Sequence, residues 1–275
     1  MAQWVPPPLP GELVVRRRGL CVGRAAELAV FEQVWERVEA SNRQVVFIGG
    51  EPGAGKSRLA AEVAGTLVDH GAAVLVGSST ADADVPYAPF AEVLDRLLLA
   101  GPEGCLAEAL ADAGPQLLRR LSSHVNRHLP DTGTIDDAGM VRRVLFDALT
   151  GFLRGLTMDR PIALILEDLH WAQLPTLAML EHVLIGCADV RMLVVATFRT
   201  TAPDRSDELI SRLAEMHRFD GVRRLDLAGL DTEAIAEFVS RTRQLPAPTA
   251  RTAAALLRDK TGGNPYFLTE LCNDL

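Results

Sequence analysis

At about 150 residues per domain, the 275-residue chain has room for one large domain or two small ones. Apolar residues at 48% and charged residues at 23% match a globular composition and exclude a disordered tail, a collagen-like rod and a disulfide miniprotein. With 28 basic against 36 acidic residues the net charge is −8, so there is no general attraction to nucleic acid or anionic lipid.

Residues 1–12 (MAQWVPPPLPGE) read as a Pro-rich extended leader, without the basic start and apolar run of a signal peptide. Helical periodicity runs from near Arg24 to about Ala40, and QVVFIG (44–49) is a short β-branched apolar run with the character of a buried strand. A helix is predicted over Lys56–His70, a second buried strand at AAVLVG (72–77) and a loop over 80–90. From Ala91 to Thr157 the pattern is helical in pieces, broken at GPEG (101–104), AGP (113–115) and PDTGT (130–134). IALIL (162–166) is the third buried strand, a helix follows at about 175–186, RMLVVATF (191–198) is the fourth strand and RRLDL (223–227) a candidate fifth. Beyond residue 230 the segments DTEAIAEFVSRTR (231–243), TARTAAALLRDK (249–260) and PYFLTELCNDL (265–275) read as helices.

Short apolar strands alternating with helices imply an α/β fold, a parallel sheet covered on both faces. The expected division is a leader over 1–20, a core over 21–220 with a helical insertion at about 91–157, and a small helical lid over 221–275. Cys21, Cys105, Cys187 and Cys272 show no CxxC spacing and read as thiols of a reducing compartment, with neither zinc nor disulfides. No stretch approaches the roughly 18 apolar residues of a membrane span. The expected location is the cytoplasm.

Gly50-Glu51-Pro52-Gly53-Ala54-Gly55-Lys56-Ser57 fits GxxxxGK[ST]. Glycines let the backbone curl so that its N–H groups point inward, and the helix N-terminus beyond adds to the anion site. Lys56 supplies an ammonium for the outer phosphates, the Ser57 hydroxyl can ligate Mg2+, and Arg58 follows as a further nucleotide-binding candidate. At this composition a chance match has a frequency of about one in a thousand. The chain has only two lysines, Lys56 and Lys260, and one of them stands where a mobile point charge is wanted.

Glu167 and Asp168 end the third strand, where open α/β sheets bind ligands. One acid there would hold Mg2+ and the other polarise a water. The usual order gives Glu167 the metal and Asp168 the water; a glutamate where aspartate is commoner leaves the swapped assignment open. Arg199, at the tip of the fourth strand, is placed to reach a γ-phosphate. His170 and Trp171 read as packing for the loop rather than chemistry. Thr261-Gly262-Gly263-Asn264-Pro265 has a structural explanation: glycine closes one helix, asparagine caps the next and proline takes its first turn.

CVGRAAEL (21–28), GGEPGAGKSRL (49–59), VPYAPF (85–90), LILEDLHWA (164–172), VVATFR (194–199) and KTGGNPYFL (260–268), in this order, resemble the signal-transduction ATPases with numerous domains (STAND). The likeness is in particular to the ATPase module of large bacterial LuxR-type transcriptional regulators, within the origin-recognition-like AAA group, and covers about residues 20–275. It implies a P-loop NTPase fold with ATP and Mg2+ as ligands. Val22, Gly23 and Arg24 would line the adenine and ribose side, Arg199 would act as sensor arginine, and Gly263, Asn264 and Pro265 would form a lid turn whose proline packs on the base. The acidic residue that often follows Gly-Arg is Ala25 here. Relatives commonly continue into a winged helix, helical repeats and a helix-turn-helix; none is present in full, so DNA binding is not implied.

The leading expectation is an ATP/ADP switch with slow Mg2+-dependent hydrolysis, acting through protein partners or self-association and with no membrane role. A P-loop kinase for a small molecule is the alternative, followed by a nucleotide sensor without turnover and by a DNA-loading AAA protein.

Overall fold

The computed structural model describes residues 5–81, 85–100, 138–201 and 207–273. Its elements are α1 (Gly11–Arg17), α2 (Ala25–Glu39), β1 (Gln44–Gly50), α3 (Lys56–Asp69), β2 (Ala73–Ser78), α4 (Ala88–Ala100), α5 (Ala138–Thr157), β3 (Ile162–Glu167), a 3-10 turn (Leu169–Trp171), α6 (Leu174–Gly186), β4 (Met192–Arg199), α7 (Asp207–Met216), β5 (Val222–Leu227), α8 (Thr232–Arg243), α9 (Ala247–Thr261) and α10 (Pro265–Asn273). The breaks expected at GPEG, AGP and PDTGT lie outside the described residues.

The five strands form one parallel sheet in the order β2-β3-β4-β1-β5. Alternate residues of each central strand feed opposite faces, which is why the strands read as unbroken apolar runs. Val45, Phe47, Leu164, Leu166, Val194 and Ala196 join the core under α4–α7. Val46, Ile48, Ala163, Ile165, Leu193 and Val195 join the core under α1, α2 and α3. Val22, Leu230, Ile235, Val239, Ala254, Leu268 and Cys272 make a third cluster within the C-terminal helices. Among the described residues, no helix is long and apolar enough to cross a membrane.

The strand order bears on the site. β2 follows β1 in sequence but lies at the far edge, and β4 enters between β1 and β3. The loop after β1, the acids at the end of β3 and Arg199 at the end of β4 therefore come together at one edge of the sheet.

Three expectations need correction. The leader is helical over Gly11–Arg17, because Leu13 is carried into the core and is only 1% exposed. The loop predicted over 80–90 stops at Tyr87, since α4 begins at Ala88 with Pro89 in its first turn, where a missing N–H costs nothing. A boundary at residue 220 would assign β5 to the lid, yet Val222–Leu227 pair with Val45–Gly50 as the edge strand. Its exposed Arg224 and Asp226 suit an edge. Helix α7 was not predicted at all.

Candidate functional site

The loop between β1 and α3 curls through left-handed backbone at Gly53 (φ +79°) and Gly55 (φ +94°), a region L side chains rarely adopt. Its carbonyls are consumed in order by the surrounding protein. The buried Lys56 Nζ donates to the oxygens of Gly50 (3.0 Å) and Glu51 (2.9 Å). Asn264 Nδ2 donates to Pro52 O at 2.9 Å, the Tyr266 N–H to Gly53 O at 3.3 Å, and Arg24 Nη2 to Ala54 O at 3.0 Å. With the carbonyls turned outward, Gly55 begins α3, whose first-turn N–H groups at Lys56, Ser57 and Arg58 have no intrahelical acceptor. That is the geometry of an anion site.

A cavity of about 690 Å³ opens over this loop, a size suited to a small-molecule ligand. Of the predicted residues, Val22, Arg24, Pro52, Gly53, Ala54, Gly55, Lys56, Ser57, Arg58, Asp168, Arg199 and Pro265 line it. Four stand back from it. Gly50 and Glu51 serve as acceptors for Lys56, and Gly23 (φ +64°) is pressed against Ala234 and Leu230. Glu167, its side chain 8% exposed, is covered by Arg16 from α1.

Burial pushes the Lys56 ammonium below its ordinary value; Asp168 works against that shift and Arg199 adds to it. All three groups thus share one electrostatic field. Asp168 sits in left-handed backbone (φ 57°, ψ 46°) and its N–H donates to Thr197 Oγ1 at 3.0 Å, so β4 positions the acid that ends β3. The Asp168 carboxylate is 41% exposed and lies 3.8 Å from His170 Nδ1. His170 is buried and tilts against Trp171 at 5.0 Å, while the Arg199 guanidinium lies 5.8 Å from the centre of the Trp171 ring. The His-Trp pair packs the loop, and its tryptophan also lies against Arg199.

Arg24 is 8% exposed and braces three segments: it reaches Ala54 O, Ala228 O (2.8 Å) and Glu27 Oε1 (2.8 Å). At the lid turn, Gly262 (φ +61°) closes α9 and donates its N–H to Arg258 O. Asn264 Oδ1 accepts from the Tyr266 N–H at 3.0 Å, the cap expected of it, while its amide nitrogen reaches the P-loop. Gly53 admits this approach, since a Cβ there would lie 2.6 Å from Tyr266 Cβ and 2.7 Å from Asn264 Oδ1. Pro265 lies beside Gly55, its Cγ 3.9 Å from where a Cβ would be.

Sequence reasoning missed Arg16, Thr197 and Tyr266. The Arg16-Arg17-Arg18 run was the one visible signal for the first, but nothing local says which acid it meets.

The residues suit a metal-bound nucleotide. Left-handed glycines and helix-start amides fit phosphate oxygens. A hydroxyl at Ser57 and carboxylates at Glu167 and Asp168 are the hard oxygen donors Mg2+ takes, with phosphates and waters completing its shell. Among the described residues, no group of three His, Cys, Asp or Glu side chains could hold a metal ion unaided.

Residues 20–195 match the family model described as an AAA ATPase domain. Among solved structures the chain is similar to Orc1 of Aeropyrum pernix in complex with DNA, at 14% identity and TM-score 0.52 over 94% of this chain and 60% of that one. It is similar to the Drosophila origin recognition complex bound to DNA at 10% identity and TM-score 0.50, over 90% of this chain and 58% of that one. A STAND protein with a tetratricopeptide repeat sensor from Pyrococcus horikoshii aligns at 18% identity and TM-score 0.49, over 85% of this chain and 28% of that one. The chain therefore spans under two thirds of each of these neighbours. No curated protein matches the sequence. At such identities the structural likeness speaks for the fold alone. The family match covers more than half of the sequence and takes in both the P-loop and the β3 acids, and on that footing the chain belongs to the AAA ATPase domain family.

Proposed function

We propose that this AAA ATPase domain is a molecular switch that binds ATP with Mg2+, hydrolyses it slowly and passes the nucleotide state to its C-terminal helices, as the ATPase module of a bacterial transcriptional regulator or signalling protein. The observation that carries the reading is the direct hydrogen bonding of the lid turn to the P-loop, Asn264 to Pro52 and Tyr266 to Gly53. A lid tied to the phosphate cradle feels what the cradle holds. Contacts differing by about 3–5 kcal/mol between the two nucleotide states redistribute such an ensemble decisively.

In this mechanism Lys56 trades its two loop carbonyls for phosphate oxygens; Ser57 with Glu167 would hold the metal, which would supply charge neutralisation at the phosphates. Asp168, open to the cavity, takes the role of orienting and polarising the attacking water. Arg199 moves from its place over Trp171 toward the γ-phosphate. Val22, Gly23 and Arg24 shape the nucleoside side, and Pro265 closes it. The division we favour is a core ending with β5 at Leu227 and a lid of α8–α10. Two structural neighbours are bound to DNA; at a net charge of −8 a protein partner or a second copy is the better-matched target for this chain. The setting proposed is the cytoplasm.

Equilibrium titration tests the reading. Lys56→Ala should abolish tight ATP binding, and unchanged affinity would overturn the P-loop assignment. Phosphate release without any added acceptor is the expected result; release that requires a small-molecule acceptor would favour the kinase alternative.

A further inference from the structure

Arg16 belongs to none of the site motifs, yet it contacts a predicted metal ligand directly. Its Nη1 lies 2.8 Å from Glu167 Oε1 and 2.7 Å from Oε2, across 151 residues of sequence. One cationic nitrogen nearly equidistant from both oxygens takes the position that a chelated cation takes on a carboxylate. Glu167 is buried, and a buried carboxylate left without a cation is strongly unfavourable. Both its oxygens face Arg16, so a divalent ion would compete with that guanidinium for them.

The helix that carries Arg16 is wired to the same site. Arg58, next to Ser57, donates Nη2 to Arg17 O at 3.1 Å and to Gly19 O. Arg17 lies over Gly65 of α3, where a Cβ would collide with its guanidinium, and its Nε is 3.6 Å from Glu62. Leu13 anchors α1 in the core. A seven-residue helix held by one apolar anchor and a few polar contacts belongs to the readily opened end of a protein's stability range.

We infer that Arg16 is a tethered cation that occupies Glu167 in the absence of metal, so that a divalent ion must displace it and metal–nucleotide binding is coupled to release of α1. This inference rests on the nucleotide reading above, and the test separates the two.

The experiment uses the full chain with a non-hydrolysable ATP analogue, following amide exchange over residues 11–17 and Mn2+ binding by electron paramagnetic resonance. Adding metal to the analogue complex should raise exchange in α1 relative to the same complex in chelator. Arg16→Gln should bind Mn2+ at least about tenfold more tightly than the parent chain, the scale of one lost charged hydrogen-bond competitor, and Arg16→Lys should fall between. Unchanged α1 protection with metal bound would overturn the proposal. So would an Arg16→Gln protein with a lower melting temperature but unaltered Mn2+ affinity, the mark of a merely structural ion pair. Should the analogue bind neither protein, with or without metal, the nucleotide reading itself fails; analogue binding with indifferent Mn2+ affinity defeats the Arg16 inference alone.

Discussion

Asn264 does two jobs with two atoms, and substitution can separate them. Its Oδ1 caps α10 by accepting from Tyr266 N–H, and its Nδ2 latches the lid to Pro52 O. Asn264→Ser keeps an oxygen for the cap, since serine and asparagine are near equals at an N-cap, but its shorter side chain cannot span to Pro52. Asn264→Ala removes both. The cap is worth about 1 kcal/mol and the latch is a further hydrogen bond of about 1 kcal/mol, so Asn264→Ala should cost about 2 kcal/mol in unfolding free energy and Asn264→Ser about 1. The latch is a single neutral hydrogen bond of about 1 kcal/mol, or about fivefold in an equilibrium constant. Both variants should therefore release a fluorescent nucleotide about fivefold faster in stopped-flow chase experiments, although Asn264→Ala is the less stable of the two by the cap, about 1 kcal/mol. Parent-like release from Asn264→Ser would mean that the contact is helix capping alone, and the lid coupling would have to be abandoned.

Asp168→Asn should retain nucleotide affinity and lose most phosphate release, since it keeps the shape but not the charge that polarises water; full turnover would shift that role to Glu167. The lowered Lys56 value sets a sign for pH. Phosphate favours the ammonium that burial disfavours, so nucleotide affinity should fall as pH rises through the alkaline range, beginning below the ordinary lysine value, and binding there should take up protons. Calorimetry in two buffers of different ionisation enthalpy reads that uptake directly, and its absence would show that Lys56 is already fully charged in the free protein.

The parts of this site that follow from local chemistry were legible in the sequence. Apolar β-branched runs marked the central strands because those strands are buried on both faces, and the glycine-lysine spacing marked a backbone that only glycines can curl. What escaped was decided at long range. Helix α1 is too short to show a period and forms because Leu13 has a core to enter. β5 looks polar because it is an edge strand, and a boundary at residue 220 separates it from the β1 it pairs with. The entry of β4 between β1 and β3 is written in no single segment, and without it the Thr197 bond that orients Asp168 has no explanation. Asn264 was read as a cap from its neighbours alone; its second partner stands 212 residues away.

The donors to the P-loop carbonyls show why this cradle is suited to a switch. A loop that only bound phosphate could satisfy its carbonyls locally, as Gly50 and Glu51 do through Lys56. The next three carbonyls instead accept from Asn264 and Tyr266 at the lid and from Arg24 at the N-terminal element, which also holds Ala228 just beyond β5. Arg58, in the first turn of α3, holds the leader. These three bonds of the cradle end on segments outside the sheet. Drawing the loop toward a ligand must lengthen or redirect bonds to parts of the chain that have few other ties to the core. The sheet is buried on both faces, so the switch proposed above assigns the displacement to the leader and the lid.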